Sequence, residues 1–216
     1  MARRRADEVG PFVRQRRPDR RQCAGRPPPA WRHSPGACPM NEIAIRSAGL
    51  DDVQAVAEFH VKSWRHTYRN LAPPHAYATL DVPYRRKMWT AKLSANDGTL
   101  ILLVAELAGR IVGMGAAGES SKPEYGGRGA IRSLYVDPDF KRRGIGRTLL
   151  SRLAIHLTSA QYRGAALSVV RENAPAIAFY EALNGRQVGE YVDPGSVWPS
   201  HNLVFAWDDL ARLVIR

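Results

Sequence analysis

The sequence predicts an α/β (α+β) fold, in which a mixed, mostly antiparallel, twisted sheet of about seven strands is flanked by helices. Strand and helix periodicities alternate along the chain in the order β-α-α-β-β-β-α-β-α-β-β. Apolar stretches such as "LILLVA" (100–105) have the length of buried strands, and none reaches the roughly 18 residues of a membrane span. A soluble layered protein with no membrane association is therefore expected.

The first half of the pattern begins at "EIAIR" (42–46), whose alternation predicts a strand. Apolar residues then recur at helical spacing between 53 and 68. Pro73 and Pro74 are expected to break the chain, and a second helix is predicted over 83–94. The segments "TLILLVAEL" and "RIVGMGAAG" read as two strands joined by "AGR", a short hairpin signal.

The second half contains two helices and four strands. Ile145, Leu149, Leu153 and Leu157 form the stripe of a helix of about fifteen residues. "NAPAIAFYEAL" opens with Asn173 as the expected N-cap of the next helix, with a proline in its first turn. The strands of this half are predicted at 130–136, 164–170, 186–192 and 201–207.

Residues 1–39 differ in composition from the rest of the chain. Ten arginines against three acidic residues give this segment +7 of the net charge of +12, and it holds seven of the 15 prolines. Without a periodic apolar pattern it cannot offset the entropy of ordering, so we expect a disordered extension before a domain over 40–216. Its alternatives are a nucleic-acid-binding arm, a transit peptide with too few serines, and an upstream extension without a selected role. No secretory signal is recognised, so a cytoplasmic location is expected.

Both cysteines, Cys23 and Cys38, lie in the extension. From Met40 onward the sequence has no cysteine, so this part has no disulfide, no cysteine-based metal site and no cysteine nucleophile. No metal site of another kind is expected either.

"FKRRGIGRTLL" (140–150) places two glycines at the start of the third predicted helix. The spacing fits neither a P-loop nor a dinucleotide fingerprint. Free N–H groups and the positive end of the helix dipole still make an anion site, to which Arg142, Arg143 and Arg147 add charge. The alternative interpretation is a helix start with a solvated basic cap.

A second pair of polar residues follows the strand at 164–170. Asn173 lies at a helix start, and Tyr180 lies two turns further along the same helix. Structural roles account for both: Asn173 as an N-cap, and Tyr180 as packing beside Ile177 and Leu183.

"LYVDPDFKRRGIGRTLL" followed by "VVRENAPAIAFYEALNGRQVGE" resembles the acetyl-CoA-binding core of the GNAT superfamily of N-acetyltransferases. The family's Gln/Arg-x-x-Gly-x-Gly/Ala turn is matched by Gly144 and Gly146, with Lys141 in the first place. "HVKSWRHTYRNLAP" is similar to bacterial single-domain members, so the resemblance covers roughly 42–208. One departure is "ALNGRQ", which replaces the commoner Leu-Gly-Phe/Gly ending.

The resemblance implies a GNAT-like acyl-CoA N-acyltransferase fold and acetyl-CoA as co-substrate. Amides from about Arg142 to Thr148 would hold the pyrophosphate, and the pantetheine arm would lie between diverging strands 131–136 and 165–170, bonded by the backbone of Leu134 and Val136. The full set implied to contact acetyl-CoA is Leu134, Tyr135, Val136, Lys141, Arg142, Arg143, Gly144, Ile145, Gly146, Arg147, Thr148, Asn173 and Tyr180.

With no cysteine in the domain, the acceptor amine is expected to attack the thioester directly in a ternary complex. Tyr180 is the expected general acid, because a phenol of pKa about 10 is protonated at neutral pH. Many relatives place a glutamate where this sequence has Ala130 and Arg132. The general base is left open among Glu119, His66, His201 and a water relay.

The resulting hypothesis is acetyl transfer to a small-molecule or peptide amine by a monomer or homodimer. A catalytically weak acetyl-CoA sensor and a nucleic-acid-associated protein remain alternatives. Acceptor choice is expected to lie in 60–90 and 191–201, which hold Trp64, Tyr68, Tyr84, Trp89 and Trp198. The alternative is that most of these aromatic residues belong to the core, and this is the expectation for Trp64 in particular.

Overall fold

The computed structural model describes residues 42–95, 98–120, 122–195 and 197–215. The extension predicted over 1–39, with its three alternative roles and both cysteines, lies outside the described residues.

Seven strands and five α-helices follow one another in the described part of the chain. The strands are β1 (Ala44–Ser47), β2 (Leu100–Leu107), β3 (Arg110–Gly118), β4 (Gly129–Val136), β5 (Ala165–Val170), β6 (Arg186–Asp193) and β7 (Ser200–Trp207). The helices are α1 (Val53–Tyr68), α2 (Pro74–Thr79), α3 (Val82–Ser94), α4 (Ile145–Ser159) and α5 (Ala174–Ala182). Short 3₁₀ turns occur at Leu50–Asp52, Pro123–Tyr125, Pro138–Phe140 and Leu210–Leu213.

The seven strands form one mixed sheet in the order β1-β2-β3-β4-β5-β7-β6. Only the pair of β4 and β5 is parallel among these neighbours, and all others are antiparallel. The predicted fold class, a mostly antiparallel sheet of about seven strands with flanking helices, is confirmed.

Each face of the sheet has its own hydrophobic core. On one face Leu149, Leu153 and Leu157 of α4 are fully buried, in one cluster with Leu167 and Phe205 of the sheet. On the other face α1 and α3 cover β2 and β3, with Val56, Trp89 and Met114 at the centre. Alternate residues of a strand point to opposite faces, so the sheet can serve both cores at once.

Helix α2 is the one α-helix of the described chain that the sequence did not predict. It begins at Pro74, where a chain break was expected. Proline is tolerated at the first helical position, because the N–H that it lacks would have no partner there and its φ suits a helix. Pro73, at φ −71° and ψ 155°, is the extended residue before the helix.

No helix in the described ranges has both the length and the apolar character needed to cross a bilayer. The same residues contain no group of three or more His, Cys, Asp or Glu side chains positioned to hold a metal ion.

Candidate functional site

The site begins where the two parallel strands of the sheet separate. Strands β4 and β5 pair only at Gly129↔Ala165 and Ala130↔Ala166. Beyond this point β4 continues along β3 as far as Val136, and β5 continues along β7 as far as Val170. The edges that β4 and β5 turn toward each other are therefore unpaired beyond Ala130, and a wedge opens in the middle of the sheet. Such an edge can hydrogen-bond an extended ligand as a further strand would.

The glycine-containing turn closes the wide end of this wedge. Gly144 is the N-cap of α4, with φ +79° in the left-handed region that favours glycine. Its carbonyl oxygen accepts from the amide and the hydroxyl of Thr148, at 2.9 and 3.2 Å. The N–H groups at the start of an α-helix have no carbonyl partner within the helix. Lys141, Arg142 and Arg147 are exposed around them.

Gly146 has a different role from Gly144. A Cβ at this position would lie 3.3 Å from the ring of Phe179 and 3.6 Å from a methyl group of Val136. Glycine thus lets the start of α4 approach α5 and the end of β4 closely, as well as leaving the backbone accessible.

Asp137, the residue after β4, is a buried carboxylate that holds the chain between β4 and the glycine-containing turn. Asp137 Oδ2 accepts from Lys62 Nζ of α1 at 3.0 Å and from Arg110 Nη2 of β3 at 2.7 Å, while Oδ1 accepts from the amide of Asp139. Burial alone would raise the pKa of Asp137, but its bonds to Lys62 and to the Asp139 amide outweigh burial and lower it. No role was assigned to Asp137 from the sequence. The signal for this role was an Asp directly before Pro138, because an Asp side chain at a turn accepts from the backbone amide two residues later.

Tyr180 lies on α5 beside the wedge. Asn173 is the N-cap of this helix, as predicted, and its Oδ1 accepts from the amide of Ala176 at 3.4 Å. The Tyr180 ring is 8% exposed and packs edge-on against Trp207, with Phe205 at a centroid distance of 6.0 Å. Burial raises the pKa of the phenol, and repulsion from the phenols of Tyr68 and Tyr125 adds to the effect. Tyr180 is thus a neutral O–H at any physiological pH.

A cavity of about 370 Å³ opens from the wedge on the sheet face opposite α4. Ile131 and Arg132 of β4 and Ser168 and Val170 of β5 all line it, so both separated strands contribute. The remaining walls are Trp64, Tyr68, Ser120, Lys122, Tyr125, Ala130, Tyr191, Asp193, Trp198, Ser200 and Asn202. Its volume lies in the range of small-molecule sites, about 300–1,000 Å³.

One wall of this cavity is a continuous chain of hydrogen bonds, here called the hydroxyl chain, formed by Lys122, Tyr191, Ser168 and Tyr125. Lys122 Nζ donates to Tyr191 Oη. Ser168 Oγ lies 2.9 Å from Tyr191 Oη and 2.8 Å from Tyr125 Oη. Lys122 Nζ also donates to Asp193 Oδ2 at 3.1 Å. Burial would lower the pKa of Lys122, but its bonds to Tyr191 and Asp193 raise it, so the side chain is an ammonium group.

The opposite wall is aromatic. The rings of Trp64 and Tyr68 are 5.2 Å apart, and Trp198 meets Tyr68 edge-on at 6.1 Å. Trp64 is 6% exposed, which confirms that it is buried, yet it also borders the cavity. Trp89 is fully in the core, where its Nε1 donates to His60 Nδ1 at 3.1 Å.

The structure places none of the three candidate bases among the residues lining the cavity. Glu119 is exposed at the end of β3, where its carbonyl oxygen accepts from Arg132. His201 is exposed on β7 between Ser200 and Asn202, which both line the cavity, so it points to the other face. His66 is exposed on α1, where partial burial and the charges of Arg69 and Lys141 lower its pKa.

The hydroxyl chain was missed in the sequence. Its members come from the loop after β3, from β5 and from β6, and up to 69 residues separate the partners. The strand register and the packing of the loop after β3 bring them together.

Comparison with known proteins identifies the family of this architecture. The model of the acetyltransferase (GNAT) family matches residues 59–185. An uncharacterised N-acetyltransferase, YuaI of Bacillus subtilis, is 26% identical over 148 residues, which cover 68% of this chain and 83% of that protein.

Solved structures agree on the fold. The PaiA N-acetyltransferase of Thermoplasma acidophilum in complex with coenzyme A superposes with a TM-score of 0.61 at 18% identity, over 76% of this chain and 98% of that one. YncA of Salmonella typhimurium, an acetyltransferase with acetyl-CoA, gives a TM-score of 0.57 at 23% identity, over 79% and 95% of the two chains.

Proposed function

The chain belongs to the acetyltransferase (GNAT) family, and from this premise we propose that it transfers the acetyl group of acetyl-CoA to a primary amine, which attacks the thioester directly in a ternary complex. The observation that carries the proposal is the wedge between β4 and β5, because it joins the glycine-containing turn on one side to the cavity on the other. Two structures of the same fold contain coenzyme A or acetyl-CoA.

The residues present fit this co-substrate. The first-turn amides of α4 hold the pyrophosphate, with Arg142 and Arg147 adding charge at the turn. The unpaired edge of β4 at Leu134 and Val136 bonds the amides of the pantetheine arm, as a neighbouring strand would. When bound, acetyl-CoA supplies the activated acyl group.

The chain's own groups then assist the transfer. A backbone N–H of the β4 edge near Leu134–Val136 stabilises the oxygen that becomes negative when the amine attacks. Tyr180 gives its phenolic proton to the departing thiolate, and it regains a proton from the nitrogen that has formed the new bond. The buried, neutral phenol of Tyr180 supports this role. No cysteine from Met40 onward is available for an acyl-enzyme, which favours direct attack.

The acceptor amine enters through the cavity on the other face of the sheet. This cavity draws residues from both segments in which acceptor choice was expected, among them Trp64 and Tyr68 of α1 and Trp198. An arriving ammonium ion gives one proton to solvent before attack, and so transfer releases one proton per acetyl group.

An amine panel tests the proposal. The full-length protein is incubated with acetyl-CoA and with polyamines, aminoglycosides, amino acids or short peptides, and free thiol is measured over the no-amine rate. We expect thiol release with at least one class, together with acetylated product by mass spectrometry. Acetyl-CoA binding without thiol release for any amine would contradict acetyl transfer.

A further inference from the structure

The three hydroxyl groups of the hydroxyl chain have one more O–H than they use among themselves. Tyr125, Ser168 and Tyr191 carry three O–H groups, and two hydrogen bonds join them. Each bond consumes one O–H, whichever atom donates. One hydroxyl proton is therefore left over, whichever of the three groups carries it.

Lys122 does not provide an acceptor for this spare O–H. An ammonium group has donors only, so its bond to Tyr191 Oη occupies an acceptor site of the chain and adds none. Among the described residues, no further acceptor bonds the hydroxyl groups of Tyr125, Ser168 or Tyr191. The wall therefore presents a spare O–H to whatever occupies the cavity, in a chain of hydroxyl groups that the Lys122 cation polarises.

The charges around the cavity also favour an occupant that accepts hydrogen bonds. Lys122 is neutralised by Asp193, at 3.1 Å. Arg132 donates to the carbonyl oxygen of Glu119, but within the described residues its guanidinium has no carboxylate partner. Burial lowers the pKa of Lys92, and electrostatic repulsion from the Arg132 guanidinium lowers it further. The cavity is left with one uncompensated positive charge.

We propose that the acceptor bears a carboxylate as well as its amine, and that it is a free amino acid with an apolar side chain. This inference rests on the proposed acetyl transfer and names its acceptor class. The carboxylate accepts from Arg132 and from the spare O–H of the hydroxyl chain, which gives both surplus donors a partner. The apolar body packs against the aromatic wall of Trp64, Tyr68 and Trp198.

A peptide N-terminus fits this cavity less well than a free amino acid. It offers a neutral carbonyl oxygen in place of the carboxylate, so the charge of Arg132 stays uncompensated. Amines without any oxygen acceptor, such as simple polyamines, bring further positive charge to a cavity that already has an excess.

Matched sets of three acceptors measure the contribution of the carboxylate to the rate of transfer. Phenylalanine, phenylalaninamide and phenethylamine share one apolar body, and the leucine series gives a second trio with a smaller one. Each is assayed with the full-length protein by thiol release. The value of kcat/KM is expressed per concentration of neutral amine, so that differences in ammonium pKa do not affect the comparison. We expect the amino acid to exceed both other members by about tenfold to a hundredfold in at least one trio, the range of a charge-assisted hydrogen bond.

Substitution of Arg132 tests the assignment. Arg132→Gln should bring the ratio of acid to amide close to one, whereas Arg132→Lys, which keeps the charge, should retain most of it. Arg186→Gln is the matched control, because Arg186 pairs with Asp208 at the surface and does not line the cavity. Its ratio should equal that of the unchanged protein.

Each other outcome overturns the inference. If amides, peptides or plain amines are acetylated as well as the amino acids or better, the carboxylate class is wrong while acetyl transfer stands. If Arg132→Gln keeps the full preference, Arg132 is not its source. If acetyl-CoA binds but no amine releases thiol, acetyl transfer itself fails, and the acceptor class falls with it.

Discussion

Asp137 Oδ2 lies 2.7 Å from Arg110 Nη2, and this ion pair joins the loop after β4 to the start of β3. The Asp137 side chain is 2% exposed, whereas that of Arg110 is 56% exposed. A buried carboxylate held by two partly solvated cations is strongly oriented, because it cannot turn to water for its hydrogen bonds. Asp137 therefore fixes the start of the turn that leads into α4.

Replacement of Asp137 by asparagine should lower the free energy of unfolding by about 1.5–3 kcal/mol, the range for hydrogen bonds to charged groups. The folded-state pKa of Asp137 lies below its ordinary value. Its contribution is therefore fully present above the unfolded pKa of about 4 and is lost as the pH falls through the lower folded value. Urea unfolding of the two proteins should show a constant difference between pH 6 and 8 that shrinks below about pH 4.

Asp139→Asn provides the control for this variant. Asp139 is exposed, and only its backbone amide takes part in the cluster, so its unfolding curve should match that of the unchanged protein. An equal loss of stability in both variants would show that the ion pairs of Asp137 contribute nothing of their own.

Gly144 allows the anion site to be tested by charge alone. Gly144→Glu should reduce coenzyme A affinity at least tenfold, since it places a negative charge beside the pyrophosphate. Any side chain at φ +79° also strains the backbone, by about 1–2 kcal/mol. Gly144→Ala carries the same strain without the charge, so the difference between the two in calorimetric titration reports the charge.

Equal affinity in the Glu and Ala variants of Gly144 would contradict phosphate binding at this turn. Gly146→Glu is the poorer choice, because its Cβ would meet Phe179 at 3.3 Å and the packing of α5 would change with the charge.

Local patterns made most of the fold predictable. The stripe from Ile145 to Leu157 predicted α4, and Asn173 with its following proline marked the start of α5, since both signals lie within one or two helical turns. Helix α2 was missed because Pro74 reads as a break unless the first helical position is recognised.

The site was only partly predictable for a related reason. The glycine-containing turn and Tyr180 belong to local motifs, whereas the cavity depends on strand register. A shift of one residue in β7 would place His201 in the cavity in place of Ser200 and Asn202. The bonds of Ser168 to Tyr125 and Tyr191 likewise need the final packing of three elements.

A protein that begins at Met40 should bind acetyl-CoA as tightly as the full chain. Every strand and α-helix described lies between Ala44 and Trp207, and so does each group assigned to the co-substrate. Calorimetric titration of both proteins at two salt concentrations would check this. Any contribution of the arginines in the extension to acetyl-CoA affinity would be electrostatic, so it would weaken as the salt concentration rises. A truncated protein that folds, by circular dichroism, but no longer binds would refute the domain boundary at residue 40.

Tyr180→Phe should lower kcat by about tenfold to a thousandfold while acetyl-CoA affinity stays unchanged, which overlaps the lower part of the roughly hundredfold to ten-thousandfold contribution of general acid–base catalysis. The ring contacts with Phe205 and Trp207 survive the change, so stability should be nearly unaffected. Tyr84→Phe is the matched control, since Tyr84 is 39% exposed and does not line the cavity. Rates must be measured in single turnover as well as in steady state, because slow product release would mask the loss. If the Phe variant matches the unchanged protein in both assays, Tyr180 is a core aromatic residue and the proton for the thiolate comes from elsewhere.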